Sequence, residues 1–154
     1  MITKITLFIT LLSYAFIVSQ SFMYILSLRK AQLALSATSY TELRHLIDAN
    51  MRARFKWPVY TALLSDLLLL ILHVSTVSGL IFITAAIAFI GLIIEVILTL
   101  KGNIPLNNIM NSWTPGNYPE NWQEIRLQWL NIFCYRQIAN ITGFLSLLAG
   151  VVFQ

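Results

Sequence analysis

The sequence predicts an all-α integral membrane fold, an up-down-up-down four-helix bundle with an amphipathic helix in the first loop. Three observations lead there. Of the 154 residues, 58% are hydrophobic and 10% charged, with a mean hydropathy of +0.75, outside the range of soluble domains. Four apolar runs, 5–28, 57–77, 80–100 and 127–153, each reach the ~20 residues that a helix needs to cross a ~30 Å hydrocarbon core. Only Ser78 and Gly79 separate the second run from the third, which calls for a tight hairpin. Hydrocarbon offers backbone groups no partners, so each run satisfies its own as a helix, and short connections make neighbours antiparallel. The chain reads as one domain, 1–154, without repeats or low-complexity tracts.

The first run, Ile5 to Leu28, follows Lys4 but is longer than a signal-peptide core and lacks a small-residue cleavage site. It is therefore kept as a span. In the first loop Ser39-Tyr40-Thr41-Glu42 has capping-box spacing, so a helix is expected to start near Tyr40 with Ser39 as its cap. Leu43, Leu46, Ile47 and Met51 fall on one side of it and Arg44, Asp48 and Arg52 on another, the pattern of a helix lying at the membrane surface with its apolar side down. Pro58 suits the first turn of the second span. Pro105 is expected to end the third helix, so that the polar motif Lys101 to Asn108 folds back over the end of the bundle. Trp113 to Tyr118, with Pro115, Gly116 and then Pro119, should be irregular.

Arg29, Lys30, Arg44, Arg52, Arg54 and Lys56 lie in the first loop and Lys101 and Arg126 in or beside the third, whereas the opposite side has Lys4 alone. The excess of basic residues favours cytoplasmic loops and both termini outside, in a bacterial inner membrane. The formal charge of +4 is then a topology signal and a contact for anionic lipid, and nucleic acid is not expected as a partner. The bilayer is the expected partner; a protein subunit or a second copy stays open.

Ionisable residues inside apolar spans are costly, so they are expected to be paired or functional. At ~1.5 Å per helical residue, Gln20, Asp66, Glu95 and Arg136 all fall at similar depth in the inner half of the bilayer. Arg126, Trp129, Phe133, Arg136, Asn140 and Gly143 recur at three- and four-residue steps, one stripe that should face the interior. Two readings follow. Asp66 and Arg136 form a structural ion pair, with Gln20 and Asn140 as interhelical glue; or the group encloses a ligand cavity lined by Glu95, Arg126, Trp129 and Arg136, with Gln20, Asp66 and Asn140 also binding the ligand, capped by Asn103, Asn107 and Asn108, and walled for an aromatic ligand by Tyr24, Trp129 and Tyr135. His45 shares a helix face with Asp48 and Arg52, a position from which a base would reach the cytoplasmic mouth; a solvated histidine is the alternative. His73 reads as an interface residue. Lone Cys134 excludes an intrachain disulfide, and without HExxH or paired histidines neither a metal nor a cofactor is expected. Phosphate loops, dinucleotide turns and GxSxG elbows are absent from the sequence.

The run Ile104-Pro105-Leu106-Asn107-Asn108 directly after the third span, followed by a fourth helix bearing Arg126, Trp129 and Arg136, resembles the anthrone oxygenase-like family of small four-helix integral membrane proteins. The resemblance covers mainly Glu95 to Asn140, with overall length and span pattern agreeing. Family members with an assigned activity are fungal oxygenases that convert anthrones to anthraquinones; most bacterial members have none assigned. The resemblance implies a bundle in which Asn103, Pro105, Asn107, Asn108, Trp129 and Arg136 match the family motif. One account is a cofactor-independent oxidoreductase acting on a hydrophobic phenolic, aromatic or quinone-like small molecule, with Glu95, Arg136 and His45 catalytic, because a stabilised carbanion reacts with oxygen directly. The other is a non-enzymatic membrane subunit or lipid- or quinone-binding partner whose polar layer is structural.

Overall fold

The computed structural model describes residues 1–76 and 79–153. Among the described residues four helices are long and apolar enough to cross a membrane: α1 (Ile2–Ala34), α2 (Ala37–Leu72), α3 (Leu80–Asn111) and α4 (Trp122–Val152). They fit an integral membrane protein, and no strand occurs among the described residues. The outer surface agrees with that class, since Phe8 (65% exposed), Leu64 (70%) and Ile90 (58%) face outward where a soluble protein would place polar side chains. The expected spans 5–28 and 80–100 fall within α1 and α3, and 127–153 lies on α4 but for its last residue; the second, 57–77, stays α-helical only to Leu72, and its last residue, Val77, lies outside the described residues. Most of the helices also run past the apolar stretches. At 1.5 Å per residue, a helix of 33 residues such as α1 is about 50 Å long, more than the ~30 Å of a hydrocarbon core. Ser78 of the expected hairpin lies outside the described residues; Gly79 is extended at the start of α3.

What the sequence suggests as a long first loop is nearly all helix. Leu35 and Ser36 alone separate α1 from α2, both in extended conformation. The cap of α2 is Ser36, whose Oγ accepts the Ser39 N–H at 3.3 Å, so the helix starts three residues before the expected Ser39 box and Glu42 stays exposed. Its inward face is also not the expected one. Tyr40, Thr41 and Arg44 are buried while Leu46 is 65% exposed, because Ala37–Arg54 packs against Ile104–Asn111 of α3 and Arg44 finds its partners there. The break in α2 comes at Phe55, just before Pro58; proline has no N–H to return to the Arg54 carbonyl, so the helical ladder is interrupted at that point.

Pro105 does not end α3. A π turn over Thr99–Asn103 absorbs it, with the Ile104 N–H reaching back five residues to the Thr99 carbonyl, and the helix continues to Asn111. An extra residue in one turn shifts every later side chain around the helix. That rotation brings Asn103 and Asn107 to the side facing α4. A similar π turn, Tyr24–Leu28, interrupts α1. Between α3 and α4 the chain is irregular, as expected, with Gly116 at φ +86° in a turn closed by Thr114 and Asn117.

α3 packs most extensively on α4, and α1 packs on the second half of α2 and on α4. One apolar cluster gathers Leu7, Tyr14, Ile17, Leu69, Ala88 and Leu92; a second gathers Tyr24, Tyr40, Met110, Trp129 and Phe133. Along both α3 and α4 the buried polar residues Glu95, Asn103, Arg136 and Asn140 fall between the two clusters. Close approach of α3 and α4 depends on small residues. Gly91 leaves no room for a methyl group against the Ala139 carbonyl, 2.8 Å from where its Cβ would stand, and a Cβ on Gly143 would collide with the Tyr14 hydroxyl, which donates to the Ala88 carbonyl at 2.8 Å. Gly143→Ala should therefore lower stability by about 1–3 kcal/mol through overpacking, measured by unfolding in detergent. Adding Tyr14→Phe should give back part of that loss in a double-mutant cycle. A neutral Gly143→Ala would contradict this helix spacing.

Candidate functional site

Glu95 is 2% exposed in the middle of α3, and four donors surround its carboxylate. Arg136 of α4 gives Nε to Oε2 at 3.0 Å and Nη2 to Oε1 at 2.5 Å, a two-point contact between planar groups. Asn140, one turn later on the same stripe, donates to Oε2 at 2.9 Å, and Thr99 donates to Oε1 at 3.3 Å. The remaining Nη1 of Arg136 reaches Asn103 Oδ1 at 2.9 Å, and Asn103 in turn donates to the Trp129 carbonyl at 3.1 Å. Such multiple partnering is what a buried ion pair requires to offset its desolvation.

A second polar layer lies beyond it, joined through Trp129. The indole N–H donates to Asn107 Oδ1 at 2.7 Å, and the same oxygen accepts Arg44 Nη2 at 2.7 Å. The Asn107 amide then donates to Asp48 Oδ1 at 3.3 Å, while Asn111 and Arg52 reach Asp48 Oδ2, each at 2.8 Å. The Arg44 guanidinium stands 4.3 Å from the Trp129 ring centre. Trp129 stacks on Phe133 at 5.0 Å, and Tyr24 meets Phe133 edge-on at 4.4 Å. Between these layers and the first half of α2 lies a pocket of about 350 Å³, within the ~300–1,000 Å³ of small-molecule sites.

Of the residues the sequence nominates, Gln20, Tyr24, Glu95, Asn107, Trp129 and Arg136 line this pocket. Asn103 and Asn140 stand behind the wall and hold Arg136 and Glu95. The α4 stripe Arg126, Trp129, Phe133, Arg136, Asn140 and Gly143 is buried throughout. Other expectations are corrected. Asp66 does not pair with Arg136: both its oxygens are buried without a partner among the described residues, between Ala62 and Leu69 of the apolar cluster. Arg126 is no cavity residue, because its Nη1 donates to the carbonyls of Gln32 and Leu35 at 2.9 and 3.1 Å and so closes the free end of α1. His45 turns to the Met110 carbonyl at 3.3 Å, away from the pocket. Asn108 and Tyr135 are exposed, and Phe133 takes the wall position expected of Tyr135. Arg44, Asp48 and Thr99 complete the site. Arg44 and Asp48 carry an i, i+4 pattern continued by Arg52, which reads equally well as a solvated helix face.

Compared with family models, curated proteins and solved structures, the chain matches none.

The network makes a definite statement about coupling. Arg136→Leu or Glu95→Leu alone strands a buried charge and should cost about 3–5 kcal/mol, while the double replacement should restore much of the loss. Asp66→Leu should change stability by the same amount in the wild type and in Arg136→Leu, because the two residues are not paired. Thermal unfolding in micelles measures each variant, and a coupling between Asp66 and Arg136 in that cycle would contradict the pairing described.

Proposed function

We propose that this protein admits a hydrophobic phenolic, aromatic or quinone-like molecule to the pocket at Glu95 and Arg136 and oxidises it with molecular oxygen, without a cofactor, as the resemblance to anthrone oxygenases implies. The observation supporting this reading most strongly is that one pocket meets both members of a buried ion pair beside the stacked rings of Trp129 and Phe133. The rings give the pocket an aromatic wall suited to an aromatic ligand, and the ion pair offers a base and an anion-stabilising cation within one wall. A substrate methylene next to a carbonyl gives its proton to Glu95. Arg136 shifts a hydrogen bond to the oxygen on which the negative charge collects. The carbanion then combines with oxygen, the peroxide anion takes the proton back from Glu95, and the hydroperoxide loses water, so that one O₂ supplies the new carbonyl oxygen and the oxygen of the water released.

A specific observation favours a second reading, a non-enzymatic membrane subunit or lipid- or quinone-binding partner. The Glu95 carboxylate already has four donors, and a carboxylate met in this way needs no ligand to be stable. Oxygen uptake by purified protein given a hydroxylated anthrone separates the two. The oxygenase reading expects uptake in the wild type and a loss of about 100-fold or more in Glu95→Gln, the lower end of what a general base contributes. Binding of the anthrone without uptake would leave the second reading.

The proposal places the protein in a bacterial inner membrane as an up-down-up-down bundle, with both termini outside and Ala37–Arg54 as an amphipathic helix on the cytoplasmic side. Support comes from Arg29, Lys30, Arg52, Arg54 and Lys56, which lie in sequence between the first two expected spans or at their edges, with Lys101 and Arg126 between the last two. Cysteines placed at exposed Glu42 and Asn117, in a Cys134→Ser background, should react with a membrane-impermeant reagent after cell lysis and not in intact cells. Labelling of either position from outside would reverse the orientation.

A further inference from the structure

Of the three guanidiniums that line the pocket, those of Arg52 and Arg136 are paired, whereas Arg44 carries a charge that no carboxylate of the described residues answers. It is 2% exposed. Its Nη2 donates to a neutral amide oxygen, Asn107 Oδ1, and its Nε is buried without any partner. The carboxylates lining the pocket are already engaged, Asp48 by Arg52 at 2.8 Å and Glu95 by Arg136. At the exposed rim Lys56 adds another cation.

A guanidinium out of water and short of acceptors favours an anionic group beside it, and a carboxylate is the anion whose geometry suits a guanidinium best. Resting on the reading of this pocket as a ligand site, we infer that the ligand is an aromatic acid, with its apolar body against the aromatic wall at Trp129 and Phe133 and its carboxylate on Arg44. Arg44 then sets specificity, as a binding residue on α2, separate from the Glu95–Arg136 pair between α3 and α4. The cation–π contact with Trp129 fixes the guanidinium plane before the ligand arrives. Preorganisation of this kind lowers the ordering cost of binding.

The test uses two probes of equal shape, anthracene-2-carboxylate and anthracene-2-carboxamide, with binding to full-length protein in neutral detergent followed by energy transfer from tryptophan. Wild type should bind the carboxylate tighter by roughly tenfold or more, the effect of one charge-assisted hydrogen bond. Arg44→Gln should remove that preference and still bind the amide; Arg44→Lys should keep part of it, and Arg54→Gln, an exposed cation on the same helix, should keep all of it. Equal binding of the two probes by the wild type would overturn the inference without using any variant, and would leave the pocket reading standing. A preference unchanged in Arg44→Gln would overturn the role of Arg44. If neither probe binds, the pocket reading fails and this inference fails with it. Displacement of the carboxylate by dihexanoyl phosphatidylglycerol would overturn the aromatic acid in favour of a phospholipid headgroup.

Discussion

A carboxylate buried among apolar helices has to be met by charge and by hydrogen bonds from more than one direction, and Glu95 is so met. Its contacts with Arg136 join α3 to α4 at the level where the two apolar clusters part. Asn103 and Asn140 then hold the arginine and the carboxylate at the angles the pair needs. Without this pair the polar layer would have no centre, and the pocket would lose its inner wall. The smallness of Gly91 and Gly143 is part of the same arrangement, since α3 and α4 must come close for the side chains to meet.

The route from this pair to the pocket mouth runs through backbone geometry. Because the π turn at Thr99–Asn103 inserts one residue into the helical repeat, Asn103 serves the inner layer and Asn107 the outer one, both from the same face of α3. Trp129 links the layers, accepting from Asn103 through its carbonyl and donating to Asn107 through its indole. α2 then closes the outer layer with Arg44 and Asp48. The consequence is a pocket with an aromatic wall, an ion pair at its inner end and an uncompensated cation near its opening.

Much of this was legible in the sequence. The four long apolar helices followed from apolar runs alone, because a helix needs ~20 such residues to cross hydrocarbon, where the backbone has no alternative partner; their ends did not, since helices of 31–36 residues outrun that length. The α4 stripe followed from its three- and four-residue steps. Depth arithmetic was right that Glu95 and Arg136 lie close but wrong about Asp66, since residue count fixes the height of a side chain and says nothing of the direction it faces. Pro105 misled for a related reason: a helix interrupted by proline and one that widens into a π turn look alike in sequence. Arg44 was hidden by its company, because an Arg, Asp, Arg series at i, i+4 spacing is the ordinary pattern of a solvated face. Only the packing of Ala37–Arg54 on Ile104–Asn111 turns that face inward.

Whether Glu95 is the partner of Arg136 can be measured without any substitution. Solid-state NMR on protein in lipid bilayers, with ¹⁵N in the arginine guanidinium groups and ¹³C in the glutamate and aspartate carboxyl groups, reads the dipolar coupling between them. The account predicts a strong coupling between Arg136 and Glu95, as heavy-atom contacts of 2.5 and 3.0 Å demand, and none between Arg136 and Asp66. Coupling of Arg136 to Asp66, or to neither carboxylate, would contradict it.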